Sequence, residues 1–180
     1  MCALQVLKPE NFVTMPWKNG GGITHEIAKR KENDKFLWRL SIAEVSSDGP
    51  FSVFAGLQRI LTVIEGDGLA LQTPDTTIEA RPMKPVSFSG DTPVTSTRGS
   101  AIVKDFNVIF DPLRIHADVK IVKIPFRLEA SGATVRAALL LERGQMDGVA
   151  VPAHSLVLIE DCGVSLTCIA PMICVSLLRL

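Results

Sequence analysis

What the chain lacks sets the first limits. It has no apolar run near the roughly 20 residues that span a bilayer. It has no surplus charge either: lysine plus arginine and aspartate plus glutamate stand at 19 each. Without a basic excess there is no electrostatic case for nucleic acid or an anionic membrane surface as partner. The start, Met1-Cys2-Ala3-Leu4-Gln5-Val6-Leu7-Lys8, has neither the basic leader nor the apolar block of a signal peptide. A soluble cytoplasmic protein is expected. Cysteine is sparse: Cys2, Cys162, Cys168 and Cys174 form no Cys-x-x-Cys pair, so a reduced, buried set is expected and not a disulfide framework or zinc site. The three histidines, His25, His116 and His154, are scattered. No metal and no cofactor are expected. A nucleophile elbow, a phosphate loop and a dinucleotide fingerprint are all missing, because Gly20-Gly21-Gly22 is not a Gly-x-Gly-x-x-Gly set between strand and helix.

Sustained helical periodicity is missing too, and strand periodicity takes its place. At 180 residues, 47% hydrophobic and 21% charged, the chain suits one domain or two small ones around a sizeable core. Met15-Pro16-Trp17-Lys18-Asn19-Gly20-Gly21-Gly22 is a loop, with three glycines where the backbone turns or approaches something closely. A lead-in strand and turn precede it at 4–14, and an alternating strand follows at 23–29. The charged run Lys29 to Lys35 reads as a solvated connection. Phe36 to Val45 is the clearest strand: Phe36, Trp38, Leu40 and Ile42 point one way, and Leu37, Arg39, Ser41 and Ala43 the other. Ser46 to Pro50 reads as a turn and 51–54 as a short strand. Arg59 to Glu65 forms a hairpin through Gly66-Asp67-Gly68. Strands continue at 69–72, 76–80, 86–89, 94–97 and 101–110. After Asp111-Pro112 the chain restarts, with strands at 119–126, 134–142, 155–160, 163–169 and 172–179. Many short strands at close spacing point to a sandwich or barrel, divided into modules at 1–111 and 112–180.

Gly49 to Gly68 has the glycine spacing of the first cupin motif. The metal-ligand positions then fall on Ala55, Leu57 and Leu61, none of which carries a donor atom. Phe88-Ser89-Gly90-Asp91-Thr92-Pro93-Val94 resembles the second motif, again without its histidine.

Pro16 to Gly22, Thr24, Glu26, Trp38 to Glu44, Asp48 to Ser52, Arg59, Glu65 to Gly68, Phe88, Gly90, Asp91 and Asp105 to Asn107 together resemble the HutD/Ves family. The matches run in family order from residue 16 to about 108. Val108-Ile109-Phe110-Asp111-Pro112 departs from a stretch usually richer in arginine, and the last 65 residues carry no distinctive motif. The resemblance implies an all-β bicupin: two adjacent antiparallel β-barrel or jelly-roll modules with little helix and no catalytic metal. It implies a cytoplasmic bacterial protein linked to histidine utilisation or, in the Ves branch, to stress response. The implied role is regulatory, by binding a small carboxylate such as formylglutamate.

Arg39 and Ser41 share a strand face. The bland reading is a solvent-facing stripe; the functional one is a barrel mouth where the arginine's planar fork takes a carboxylate. Arg59 is a second such arginine, or a surface ion pair. Trp17 and Trp38 wall a pocket or simply pack. Lys18 and Asn19 offer a charge and an amide, or stabilise a turn. Thr24 and Glu26 touch ligand or serve a cross-strand role. Asp91, Asp105 and Asn107 rank lower, as groups that orient the arginines or cap turns. The expected ligand-binding set is thus Trp17, Lys18, Asn19, Thr24, Glu26, Trp38, Arg39, Ser41 and Arg59, with no catalytic residue. The alternatives are a metal-independent isomerase or hydrolase using Glu26 or Glu44 as base, and an interaction module with a vestigial pocket. The apolar C-terminal strand ending at Leu178-Arg179-Leu180 is a candidate homodimer interface.

Overall fold

The computed structural model describes residues 3–99, 102–123, 125–130 and 134–180. Its strands are β1 (Ala3–Leu7), β2 (Val13–Pro16), β3 (Gly22–Glu32), β4 (Lys35–Val45), β5 (Gly49–Pro50), β6 (Gln58–Glu65), β7 (Leu69–Gln72), β8 (Thr77–Ala80), β9 (Val86–Ser89), β10 (Thr95–Arg98) and β11 (Val103–Phe110). They continue with β12 (Ile115–Val122), β13 (Phe126–Glu129), β14 (Thr134–Leu140), β15 (Gly144–Met146), β16 (Val149–Val151), β17 (Leu156–Glu160), β18 (Gly163–Cys168) and β19 (Met172–Arg179). Among the described residues a single 3-10 turn, Pro9–Asn11, is the only helical element, and no helix is long and apolar enough to cross a membrane.

Two compact units form. One is Val13–Leu113; the other joins the N-terminal segment through Phe12 to Arg114–Leu180. The expected division at 111 had assigned residues 1–12 to the first module. They belong to the other unit because β1 pairs antiparallel with β17, from Ala3 opposite Glu160 to Leu7 opposite Leu156. Buried β17 needs a hydrogen-bonded neighbour on each side, and β1 and β14 supply them.

In the Val13–Leu113 unit, a six-stranded sheet in the order β2-β3-β4-β11-β6-β9 accompanies a four-stranded sheet, β5-β10-β7-β8. Val45, Leu61, Val63 and Val103 of the first sheet meet Leu69, Leu71, Ala80 and Val94 in one buried cluster. The alternation read in Phe36–Val45 holds. Two local expectations do not. The charged run from Lys29 is strand as far as Glu32, and the connection is only Asn33-Asp34, both left-handed at φ 48° and 59°. Such a pair makes a tight hairpin turn whose twist suits the flanking strands, and charged residues suit a strand end solvated on both faces. Residues 51–54 are irregular; the short strand lies just before them, where Gly49 and Pro50 pair with Ser96 and Thr95.

The other unit has a five-stranded sheet, β1-β17-β14-β19-β12, and a four-stranded sheet, β13-β18-β15-β16. Its buried cluster is aliphatic and sulfur-bearing, with Leu128, Leu140, Val157, Ile159, Leu166 and Met172 among its members. The hairpin from β15 to β16 went unread in the sequence, although Asp147-Gly148 at its tip is a turn pair, with φ 48° and 82°. Cys168 and Cys174 are buried, Cys162 is half-buried, and all three are free thiols; Cys2 lies outside the described residues.

Candidate binding site

The six-stranded sheet of the Val13–Leu113 unit changes character along its inner face. Rows across β4, β11 and β6 read Ala43, Asp105, Val63; then Ser41, Asn107, Leu61; then Arg39, Ile109, Arg59. The apolar core lies at one end of this series and the arginines at the other. Arg39, Ser41, Ala43, Asn107, Ile109 and Arg59 form the floor of a cavity of about 490 Å3. The walls are the loop Met15 to Asn19, with Thr24, and the irregular segment Pro50 to Phe54.

Hydrogen bonds of the glycine loop place those walls. Gly20 sits at φ 71°, which glycine adopts at little steric cost. A Cβ on Gly22 would strike the Glu44 carbonyl oxygen and come within 3.1 Å of the Trp17 ring. The loop therefore lies flat on β4, and Trp17 Nε1 donates to Thr24 Oγ1 at 2.8 Å. The Trp17 ring meets Phe51 edge-on, with centroids 5.7 Å apart. Asn19 Oδ1 accepts from the Gly21 N–H at 3.0 Å, so its oxygen stabilises the turn.

The two arginines are held against aromatic rings. Arg59 is 6% exposed. Its guanidinium carbon lies over Phe51 at 4.7 Å, Phe88 at 5.4 Å and Phe54 at 6.0 Å. Its Nε donates to Asn107 Oδ1 at 2.8 Å. Arg39 lies over the other side of the cavity floor, 5.1 Å from the Phe54 ring, and its buried Nε has no hydrogen-bond partner among the described residues. Ring faces attract a guanidinium while leaving its N–H donors unspent. Burial lowers the pKa of Arg59 to about 10, partly offset by Asp105 and aggravated by Arg39. Burial lowers that of Arg39 too, with Glu26 opposing. Both remain cations at neutral pH.

Asp105 lies behind Asn107 and is fully buried. One carboxylate oxygen accepts from Asn107 Nδ2, and the other has no partner among the described residues. Burial raises its pKa from 3.8 to about 6, against the pull of Arg59 and the Asn107 hydrogen bond.

Seven residues of the expected set converge on the cavity: Trp17, Lys18, Asn19, Thr24, Arg39, Ser41 and Arg59. Trp38 does not. It is 3% exposed on the opposite face of β4, where Arg30 lies 6.0 Å from its ring; strand alternation makes it impossible for Trp38 and Arg39 to face one cavity. Glu26 shares the inner face beside Ser41 but is outside the lining, and its Oε1 pairs with Lys29 Nζ at 2.7 Å. Phe51, Phe54 and Asn107 were not in the set, and Asn107 and Asp105 had a legible signal: two polar residues at a spacing of two inside the apolar strand Val103–Phe110. The degenerate cupin positions do not fit a metal. Leu61 is buried in the apolar cluster, and neither Ala55 nor Leu57 brings a donor group.

A family model described as HutD matches residues 9–168. The chain belongs to the HutD family. An uncharacterised 21.2 kDa protein in the hutC 3' region of Pseudomonas putida is 39% identical over 143 residues, covering 75% of this chain and 73% of that protein. The structure of HutD from Pseudomonas fluorescens SBW25, in a formate condition, has a TM-score of 0.87 at 31% identity and covers 99% of this chain and all of that one. A conserved protein of unknown function from Pseudomonas aeruginosa PAO1 gives 0.82 at 31% identity, with 98% of both chains covered. The fold alone is shared more widely. The bacterial pirin YhhW from Escherichia coli, in complex with nickel(II), reaches 0.72 at 8% identity over 98% of this chain and 99% of its own. This HutD-family chain therefore has the cupin-like all-β fold.

Proposed function

We propose that this protein binds a small carboxylate, formylglutamate-like in size and charge, and acts as a non-enzymatic regulator of histidine utilisation. The observation that carries the reading is the pair of arginines on the cavity floor. Arg59 spends one donor on Asn107, and the buried Nε of Arg39 has no hydrogen-bond partner among the described residues. Buried donors left over are costly unless something accepts from them, and a carboxylate matches a guanidinium fork. Phenylalanine, tryptophan and proline walls suit the carbon chain of such an acid. The pathway link rests on family membership and on the hutC neighbourhood of the Pseudomonas putida relative.

A reaction would need a free base at the cavity. Glu26 is paired with Lys29, and Glu44, on the other face of β4, lies 3.9 Å from Lys104. Neither lines the cavity, which favours binding over turnover.

Thermal-shift titration tests the reading. Formylglutamate, glutamate and urocanate go against the wild type, Arg39→Ala and Arg59→Ala. A ligand at about 100 times its Kd stabilises the fold by about 2.7 kcal/mol. A rise in Tm that both substitutions abolish supports the proposal. If no carboxylate shifts the wild type and the variants behave alike, the proposal fails. Turnover of a bound acid followed by NMR would replace the regulator with an enzyme.

A further inference from the structure

The inner face of the other unit's five-stranded sheet repeats the layout of the cavity floor. In the Val13–Leu113 unit one row reads Phe88, Arg59, Ile109, Arg39 across β9, β6, β11 and β4. In the unit of Arg114–Leu180 a row reads Ile159, Arg136, Ser176, Asp118 across β17, β14, β19 and β12. The match is one of topology. β11 and β19 are the last strands of their units, and each lies between the two strands that carry the charged residues. One row inward come Val157, Ala138, Cys174 and Lys120, and then Leu140, Met172 and Val122. Both faces thus turn apolar in the same chain direction, and Arg136 stands where Arg59 stands.

We propose that the Arg114–Leu180 unit carries a second binding site, at Arg136, which takes the carboxylate of a short aliphatic monocarboxylic acid. This goes beyond the cavity of Arg39 and Arg59 and does not depend on it.

Arg136 faces the interior. Ala138 and Leu140, on the same face of β14, belong to the buried cluster, as do Ile159 and Cys174 beside them. Burial pushes the Cys174 thiol up to about 12, and the charge of Arg136 pulls against that rise. The residue as a whole is half-buried, yet its Nε is buried and has no hydrogen-bond partner among the described residues. The repeated layout gives the reason. Arg59 Nε donates to Asn107, one row inward on the last strand. The same place in the second unit holds Cys174, whose thiol is a poor acceptor. A buried donor left over is costly unless something accepts from it, and a carboxylate fits the guanidinium edge.

The rest of the row sets the class of acid. Asp118 occupies the place of Arg39, so one arginine is present where the cavity has two. Asp118 Oδ2 pairs with Lys120 Nζ at 3.1 Å, which leaves Arg136 to match a single negative charge. His116 lies one row further out, opposite Leu178, and is exposed. Arg127 and Glu129, on β13 of the facing sheet, pair with each other at 2.6 Å and flank the buried Leu128 on the alternate face. Beside Arg136 the fully buried Ile159 replaces Phe88, so the neighbouring wall is aliphatic and suits a short alkyl chain. The hydroxyl of Ser176, next to Arg136 in the row, is placed to add a hydrogen bond.

The test follows the isotope-labelled full-length chain by NMR during titration with butyrate, against sodium chloride at the same ionic strength. The Arg136 Nε–H signal and the amides of Ser176 and Thr134 should shift and saturate, with a Kd of about 1–10 mM for so small an acid. Arg136→Gln should abolish these shifts. Arg39→Ala combined with Arg59→Ala should leave them in place, which separates this site from the cavity. Shifts that grow without saturating, that chloride reproduces, or that survive Arg136→Gln overturn the proposal. Saturation confined to the cavity arginines also overturns it and leaves the carboxylate reading of the cavity standing. Saturation at Arg136 with the cavity arginines unmoved supports it and counts against that reading. If Arg136→Gln does not fold, Arg136→Lys takes its place, keeping the charge but losing the planar fork. A Kd weakened by about tenfold or more then supports the proposal, and an unchanged Kd overturns it.

Discussion

Both units place two sheets of antiparallel strands around buried side chains, but they bury different chemistry. Beside the N-terminal strand and Arg114–Leu180, the interior is Leu, Val, Ile, Ala, Met and Cys, and among the described residues its buried polar side chain is Ser155. In Val13–Leu113 the buried polar residues are Glu26, Ser41, Arg59, Thr62, Ser96, Asp105 and Asn107. Burying charge costs several kcal/mol per ion unless it is well compensated, so a chain that needed only stability would fill both interiors alike. The second unit shows that this chain can build an apolar interior; the first departs from it where the cavity opens.

The comparison can be broken or sharpened by experiment. The largest effect is expected in the apolar unit. Leu166 is fully buried in its cluster, and Leu166→Ala should cost about 2–5 kcal/mol of stability by removing contacts and leaving a cavity. Urea unfolding measures the loss, and calorimetry should show an unchanged carboxylate Kd. A weakened Kd would mean that the apolar unit supports the site.

A smaller effect comes from pH. The Asp105 value in the folded chain, about 6, lies above its ordinary 3.8. Its contribution to stability is therefore fully present below 3.8 and is lost as pH rises through about 6, a change of about 3 kcal/mol at most. The signature is the wild-type unfolding free energy minus that of Asp105→Asn, followed from acid to neutral pH. A difference that does not fall over that range would show that Asp105 is not held as described.

The smallest effect belongs to Arg39→Lys. The charge stays but the planar fork goes, so carboxylate affinity should drop about tenfold, roughly 1.4 kcal/mol, with little change in Tm. Equal affinity would reduce Arg39 to a point charge.

Much of this was legible in the residues. Alternation in Phe36–Val45 assigned Arg39 and Ser41 to one face, and the glycine spacing around Gly49 and Gly68 pointed to the fold. The same alternation already separated Trp38 from Arg39, yet Trp38 entered the expected site because aromatic residues suggest pocket walls. Asp105 and Asn107 were legible as a pattern but not as a device, since their meaning depends on β6 bringing Arg59 alongside. The stacking of Arg59 on Phe51, Phe54 and Phe88 joins positions far apart in the chain; periodicity is local and cannot announce it. The partnership of β1 with β17 was hidden for the same reason, because Ala3–Leu7 alone fits any sheet edge.

That partnership has a consequence for biosynthesis. Contacts between distant parts of a chain form late, after the intervening loop has been closed. On the ribosome, every strand of the cavity-bearing unit has emerged while Leu156–Glu160, the partner of Ala3–Leu7, is still to be translated. Ala3–Leu7, made before every strand of the cavity-bearing unit, thus finds its place only after them. Until Leu156–Glu160 has been made, the nascent chain carries Ala3–Leu7 as an extended segment without its sheet partner, which chaperones or a neighbouring nascent chain can capture. An extension fused to the N-terminus would act on that final docking step and leave the cavity strands to fold ahead of it.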